Sequence, residues 1–309
     1  MSEVGSKGKT LPNGVLQIYP QAQQAAKVMG KVVGERCPEP FIMGEGDWQV
    51  RTDQWGETKD DDTIVTHEEN QERKNVQSYE ELDEASSDHG ECHERGYMCG
   101  PNDWYNIEQT AYWNITEAAN DEDDQEIVQY MNGWRHTGEN TPQICTGCAY
   151  KGAMNYETGN TRWRKEVAHN DYRDMSWKPG VSYSIADSEK WVGMKIVRFE
   201  YQKDDESYAI RLELWIDDDE KNESHNYSSK WKLLRVEEDV IGKEWDEDSD
   251  EGCGCGCPGT HEPLFFKYPF ASYRTDRTKA EMAGVSVIEI TPPTPEKFYN
   301  EGDVVEKTS

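Results

Sequence analysis

Between Tyr208 and Ile216 the chain alternates without a break: Tyr208-Ala209-Ile210-Arg211-Leu212-Glu213-Leu214-Trp215-Ile216. A period of two places Tyr208, Ile210, Leu212, Leu214 and Ile216 on one face and Ala209, Arg211, Glu213 and Trp215 on the other. A segment with one apolar face belongs half-buried in an antiparallel sheet. The opposite face sets a cation, an anion and an indole side by side. Sugars are gripped by such a mixture, because aromatic faces stack on pyranose rings while charged groups hydrogen-bond hydroxyls. An ordinary solvated sheet face shows the same alternation.

The pattern recurs. Strands are expected at Val15–Tyr19, Asp47–Arg51, Trp104–Thr116, Glu126–Trp134, Ala149–Tyr156, Thr161–His169, Trp191–Tyr201, Trp231–Val236, Phe265–Tyr273 and Val285–Ile290. Each is short and bounded by Gly, Pro, Asn or Asp. Many short strands with few helical patterns between them (one short helix is expected near Gln21–Met29) indicate an all-β sandwich. Residues 1–13 read as a flexible lead, 14–292 as the sandwich and 293–309 as an acidic tail. From Gly56 to Asp103 hydrophobic density collapses, and this stretch is expected to be a long acidic insertion or loop. No internal repeat is visible.

The net charge of −29 over 309 residues excludes a nucleic-acid footprint and an anionic membrane surface. Tryptophan (11) and tyrosine (16) far outnumber phenylalanine (6), which suits sheets and wet binding surfaces. No apolar run approaches the ~20 residues of a membrane span. The N-terminus shows no signal peptide, whereas eight clustered cysteines and the sequons at Asn114, Asn222 and Asn226 suit an extracellular setting. A cell-surface or virion protein, with other subunits of a surface assembly as partners, accommodates both.

Cys145-Thr-Gly-Cys148 and Cys253-Gly-Cys255-Gly-Cys257 stand about a hundred residues apart. They suit a tetrahedral zinc site, disulfides or free thiols, although Cys-x-Cys-x-Cys fits zinc-ribbon spacing poorly. Cys92 and Cys99, with His89 and His93 near, suit a local bridge or a second metal site, and Cys37 needs a partner. The acid runs Asp60–Asp62, Asp121–Asp124, Asp217–Glu220 and Asp246–Glu251 lie in turns and offer hard oxygens to calcium, without an EF-hand pattern.

Further motifs follow in order: Trp134-Arg-His-Thr-Gly138, Cys145–Gly152, Arg162-Trp-Arg-Lys-Glu-Val-Ala-His169 with Tyr172, Trp191–Lys195, Arg211–Asp217, Lys230–Lys232, Ser272–Asp276 and Val285–Ile290. This order resembles a family of concanavalin A-like jelly-roll proteins, described as carbohydrate-binding or polysaccharide-lyase-like. The resemblance spans roughly Leu16 to Pro292. It implies two curved antiparallel sheets with ligand in the concave groove, and disulfide pairing between the two cysteine clusters.

On that reading Arg162, Arg164 and Glu166 line one wall of a glycan groove, and Arg211, Glu213 and Trp215 another. Jelly-roll lyases neutralise a uronate carboxylate with an Arg or amide, abstract the adjacent proton with His or Tyr, and protonate the leaving oxygen with Tyr. Arg164, His169 and Tyr172 are the candidates for those roles. Strict alternation puts His169 on the face of Trp163, so only a bulge or strand end turns it outward. The functions in view are a glycan-binding, lectin-like surface protein, a polysaccharide lyase acting on a uronate-containing glycan by β-elimination, and a purely structural virion or fibre protein.

Overall fold

In the computed structural model the described residues are 9–11, 14–20, 27–29, 31–33, 49–51, 56–58, 64–66, 71–77, 106–118, 125–134, 148–168, 171–223, 226–243, 245, 262–264, 271–276 and 278–307. They form β1 (Lys9–Thr10), β2 (Leu16–Gln17), β3 (Lys27–Met29), β4 (Lys31–Val33), β5 (Gln49–Arg51), β6 (Gly56–Thr58), β7 (Ile64–Thr66) and β8 (Gln71–Gln77). The longer strands follow: β9 (Ile107–Ala118), β10 (Glu126–Trp134), β11 (Cys148–Asn155), β12 (Thr161–Ala168), β13 (Asp171–Asp174), β14 (Val192–Gln202) and β15 (Tyr208–Asp217). Then come β16 (Lys230–Asp239), β17 (Ala271–Asp276), β18 (Thr278–Glu289), a 3-10 turn at Pro295–Lys297 and β19 (Val304–Glu306).

Two large sheets result. One runs β13-β12-β11-β10-β17-β8-β5-β4, the other β19-β16-β15-β14-β9-β18-β7-β6, with β3 also against β18. All pairings are antiparallel except that of β4 with β5. The expected all-β class is what the chain adopts. It is the arrangement that the concanavalin A-like resemblance implies.

The sheets meet through the alternating residues. From β15, Ile210, Leu212, Leu214 and Ile216 join a core with Trp113, Tyr150, Met154, Trp163, Met194, Ile196 and Tyr273. Tyr208, expected on that face, lies at the strand end and is 54% exposed. Gly152 marks the closest approach between the sheets: a Cβ there would stand 2.5 Å from Ile196 Cγ2. Gln129 bridges the gap by donating Nε2 to the Met194 carbonyl at 2.9 Å, which gives the buried amide nitrogen a partner inside the core.

A second cluster lies on the outer face of the nine-stranded sheet. Leu11, Val15, Leu16, Ile18 and Tyr19 pack there with Val197, Phe199, Trp215, Leu233, Ile288, Tyr299 and Val305. The lead and tail therefore differ from expectation at Leu11 and beyond Pro293. Leu11, Tyr299 and Val305 of these polar stretches are buried, and β19 extends the sheet through β16. Their composition averages out as solvated, but burial acts on individual side chains.

The segment expected as a loop from Gly56 also departs from that reading. Its first part supplies β6, β7 and β8, with β7 against β18 and β8 against β17. Part of the helix expected at Gln21–Met29 is strand β3, whose Val28 stands opposite Val287. β-branched residues favour a pleated pairing over a helical turn. Among the described residues no helix is long and apolar enough to cross a membrane.

Candidate functional site

The face of β15 carrying Arg211, Glu213 and Trp215 is sealed. Trp215 and Glu213 have no solvent exposure, and Arg211 retains 6%. Arg211 Nε donates to Glu213 Oε1 at 2.7 Å, Tyr19 Oη to Glu213 Oε2 at 2.8 Å, and Trp215 Nε1 to Glu213 Oε2 at 3.0 Å. Arg211 also donates to the Tyr299 carbonyl, and the Tyr299 ring meets the indole edge-on at 5.1 Å. Burial pushes the Glu213 carboxyl above its usual range, with Arg211 pulling the other way. The expectation of an open groove here is corrected: the indole expected to be exposed is a core residue, packed in one cluster with Leu16, Ile18, Tyr19, Ile290 and Tyr299.

Beside it, Lys195 is equally enclosed. Its Nζ lies 2.5 Å from Glu108 Oε1, 2.7 Å from Thr110 Oγ1 and 3.0 Å from the Leu16 carbonyl. Glu108 in turn accepts the Ile18 and Tyr19 backbone N–H groups at 3.0 and 3.1 Å. This pair fastens the N-terminal segment to the sheet.

Arg162, Arg164 and Glu166 lie elsewhere, on β12 of the eight-stranded sheet. Gly152 faces the core and pairs with Trp163, so the intervening residues of β11 and β12 take the outer face. The two walls of the expected groove are thus outer faces of different sheets, and the structure does not bring them together.

The outer face of the eight-stranded sheet holds a dense polar array. Tyr130, Lys151, Arg164 and Asp174 are successive partners across β10, β11, β12 and β13. Arg274, Val128, Ala153 and Arg162 form the neighbouring row. Arg164 grips Glu126 with two nitrogens at 2.5 and 2.7 Å and reaches Asp174 Oδ2 with Nε at 2.9 Å. Arg162 Nη1 lies 2.9 Å from Asp174 Oδ2, Nη2 also meets Glu126, and its guanidinium carbon stands 4.1 Å from the Trp177 ring centroid.

Deeper on the face, Lys151 Nζ is 2.5 Å from Glu166 Oε2, both with no exposure. Tyr130 sits between Lys151 (4.7 Å above its ring) and Arg274, which donates to its hydroxyl at 2.5 Å. Among the described residues accessibility is confined to the margin: the side chains of Arg162, Arg164 and Asp174 are 14%, 10% and 15% exposed, and Trp177 is half-buried.

Tyr172 stands opposite Glu166 in the backbone register of β13. His169 lies outside the described residues, as do Cys145, Cys253, Cys255 and Cys257. Cys148 opens β11 opposite Trp134. The disulfide and zinc expectations thus fall outside what is described, together with Asp60–Asp62, Asp121–Asp124 and Asp246–Glu251.

The Asp217 run is described, and its first member is not free for calcium. Asp217 is buried and accepts from Tyr112 Oη, Asn222 Nδ2, Ser228 Oγ and the Lys230 N–H, at 2.7 to 3.2 Å. Among the described residues no group of three or more His, Cys, Asp or Glu could hold a metal ion. The same bonds bury Asn222, which closes that sequon in the folded chain.

Sequence reasoning missed Glu126, Lys151, Asp174, Tyr130, Arg274 and Trp177. The alternation of Lys151 and Ala153 with Tyr150, Gly152 and Met154 signalled the face, but the partners depend on register.

No protein-family description and no curated protein matches the chain. Among solved structures it is similar to the exoplasmic/lumenal domain of VIP36. The Ca2+-bound form aligns at 8% identity over 92% of this chain and 99% of that one, TM-score 0.44. The Ca2+/Man-bound form aligns at 6% over 85% and 89%, TM-score 0.42. An alginate lyase from a Chlorella virus aligns at 5% over 76% and 88%, TM-score 0.30.

Proposed function

We propose that this chain is a glycan-binding, lectin-like protein of a cell envelope or virion, and that the margin formed by Arg162, Arg164, Asp174 and Trp177 receives the sugar. The observation that carries this reading is the sharing of Glu126 and Asp174 between two arginines beside an indole. Adjacent fork donors and carboxylate acceptors complement vicinal hydroxyls, which donate and accept at neighbouring oxygens. The half-buried ring offers an apolar surface to the pyranose C–H face.

Charge bears on the choice of ligand. Among the described residues, four cations (Lys151, Arg162, Arg164, Arg274) meet three carboxylates (Glu126, Glu166, Asp174) on this face, so these groups nearly neutralise one another. The surrounding chain is strongly anionic. A neutral, hydroxyl-rich glycan suits that field better than a polyuronate. The lyase alternative keeps one supporting observation: Tyr130 lies between two cations, Lys151 over its ring and Arg274 at its hydroxyl.

Binding to a glycan array and by calorimetry tests the reading. Trp177→Ala and Arg162→Ala are expected to weaken binding by roughly 1–3 kcal/mol, the range of aromatic and arginine anchors in other interfaces. Unsaturated products from uronate polymers, lost in Tyr130→Phe or Tyr172→Phe, would establish the lyase. No binding to any glycan would leave a structural shell or fibre component.

A further inference from the structure

Among the described residues three lysine–carboxylate pairs have almost no solvent contact: Lys151–Glu166, Lys195–Glu108 and Lys165–Asp239. An ion pair removed from water is costly, because desolvation of both charges offsets their attraction. The third pair differs from the other two in ways that matter for covalent chemistry. Lys165 extends from β12 and Asp239 from β16, so the pair spans the two sheets. Lys165 Nζ lies 2.8 Å from Asp239 Oδ2, and both side chains have no exposure.

The groups around the carboxyl are those that would stabilise a tetrahedral adduct. Tyr150 Oη donates to Asp239 Oδ2 at 2.5 Å and is itself fixed by the Leu264 N–H at 2.8 Å. Trp245 Nε1 points at Oδ1 from 3.3 Å, and its ring lies 5.8 Å from the lysine nitrogen. The Glu262 carbonyl accepts from Nζ at 2.6 Å and holds the amine in place. By contrast, the Lys151–Glu166 and Lys195–Glu108 pairs each join neighbouring strands of one sheet.

We propose that Lys165 and Asp239 condense after folding into an isopeptide bond that joins the two sheets. In the enclosed site one proton passes from the Lys165 ammonium to Asp239 Oδ1, leaving a neutral amine and a neutral acid. The Nζ lone pair adds to Cγ, and the charge that develops on Oδ2 is met by the Tyr150 hydroxyl. A second Nζ proton moves to the Oδ1 hydroxyl, the Cγ–Oδ1 bond breaks, and one water leaves as the Oδ2 carbonyl re-forms. No oxidant, reductant or cofactor takes part. Burial, which pulls Lys165 below the usual lysine range against the opposing effect of Asp239, favours the neutral nucleophile. Preset contact between the two groups removes the entropy of bringing them together.

The test is the mass of the reduced, denatured wild-type protein, which requires no variant. Condensation lowers it by about 18 Da, the mass of one water, and peptide mapping should recover a branched fragment containing residues 165 and 239. Lys165→Arg and Asp239→Ala should each restore the full sequence mass. Tyr150→Phe should slow the appearance of the lighter species after refolding. A wild-type chain of full mass, with Lys165 and Asp239 in separate peptides, would overturn the proposal.

Discussion

Trp215 Nε1 donates to Glu213 Oε2 across 3.0 Å, from the same face of β15, and neither side chain touches solvent. The Tyr19 hydroxyl and Arg211 guanidinium complete the shell around that carboxylate. What looks in the sequence like a sugar-gripping surface is an internal hydrogen-bond set that fastens both ends of the chain to the sheet.

Removing the carboxylate should be costly. Glu213→Ala leaves Arg211 buried without its partner and strips acceptors from Tyr19 and Trp215. A loss of roughly 3–5 kcal/mol is expected, as for other broken buried pairs. Urea unfolding followed by tryptophan fluorescence measures it, and a change under ~1 kcal/mol would contradict the sealed arrangement.

Trp215→Ala should cost stability rather than affinity. A fully buried indole replaced by a methyl loses about 3–5 kcal/mol. At a temperature where the variant remains folded, its glycan affinity should equal that of the wild type. A selective loss of binding with an unchanged melting temperature would return this face to the ligand.

Alkaline pH should unfold the protein cooperatively. Burial is the largest cause that raises Tyr112, Tyr150 and Tyr273 above the usual 10.0, and it raises the half-buried Tyr183 to about 12. A raised folded value means that the native state holds protons which the unfolded chain has released. Stability is therefore fully present below pH 10 and falls as pH rises through the folded values. Tyrosinate absorbance should appear together with loss of the β-sheet circular dichroism signal. Near-complete tyrosine ionisation at about pH 12 with the sheet intact would contradict the assigned burial.

Gly152→Ala tests the approach of the sheets. The added Cβ meets Ile196 Cγ2 at 2.5 Å and Met194 Cε at 3.3 Å. Overpacking of about 1–3 kcal/mol is expected, read as a lowered denaturant midpoint.

Much of the fold is legible before any coordinates. Strands β9 to β12 and β14 to β16 announce themselves in the sequence, whereas β8 and the first half of β18 do not, and the alternation of β15 correctly separates Leu212 and Leu214 from Arg211 and Glu213. Less of the candidate site is legible. Arg162 and Arg164 are identifiable as outward-facing on β12. Their carboxylate partners Glu126 and Asp174 come from β10 and β13, and neither strand reveals that pairing alone.

The local pattern of this chain determined its strands, its two-faced sheets and its all-β class, because pleat periodicity is a property of consecutive residues. Tertiary structure alone decided which polar faces stay near water. Whether Arg211, Glu213 and Trp215 bind sugar or fill a core depends on where Val15–Tyr19 and residues 290–305 come to rest. Val15–Tyr19 is legible as a strand but not as a cover, and the tail is too polar on average to declare itself, yet Leu16, Ile18, Tyr19 and Tyr299 find the outer face of the nine-stranded sheet. Burial is set by packing between distant segments, and composition averaged along the chain does not carry that information.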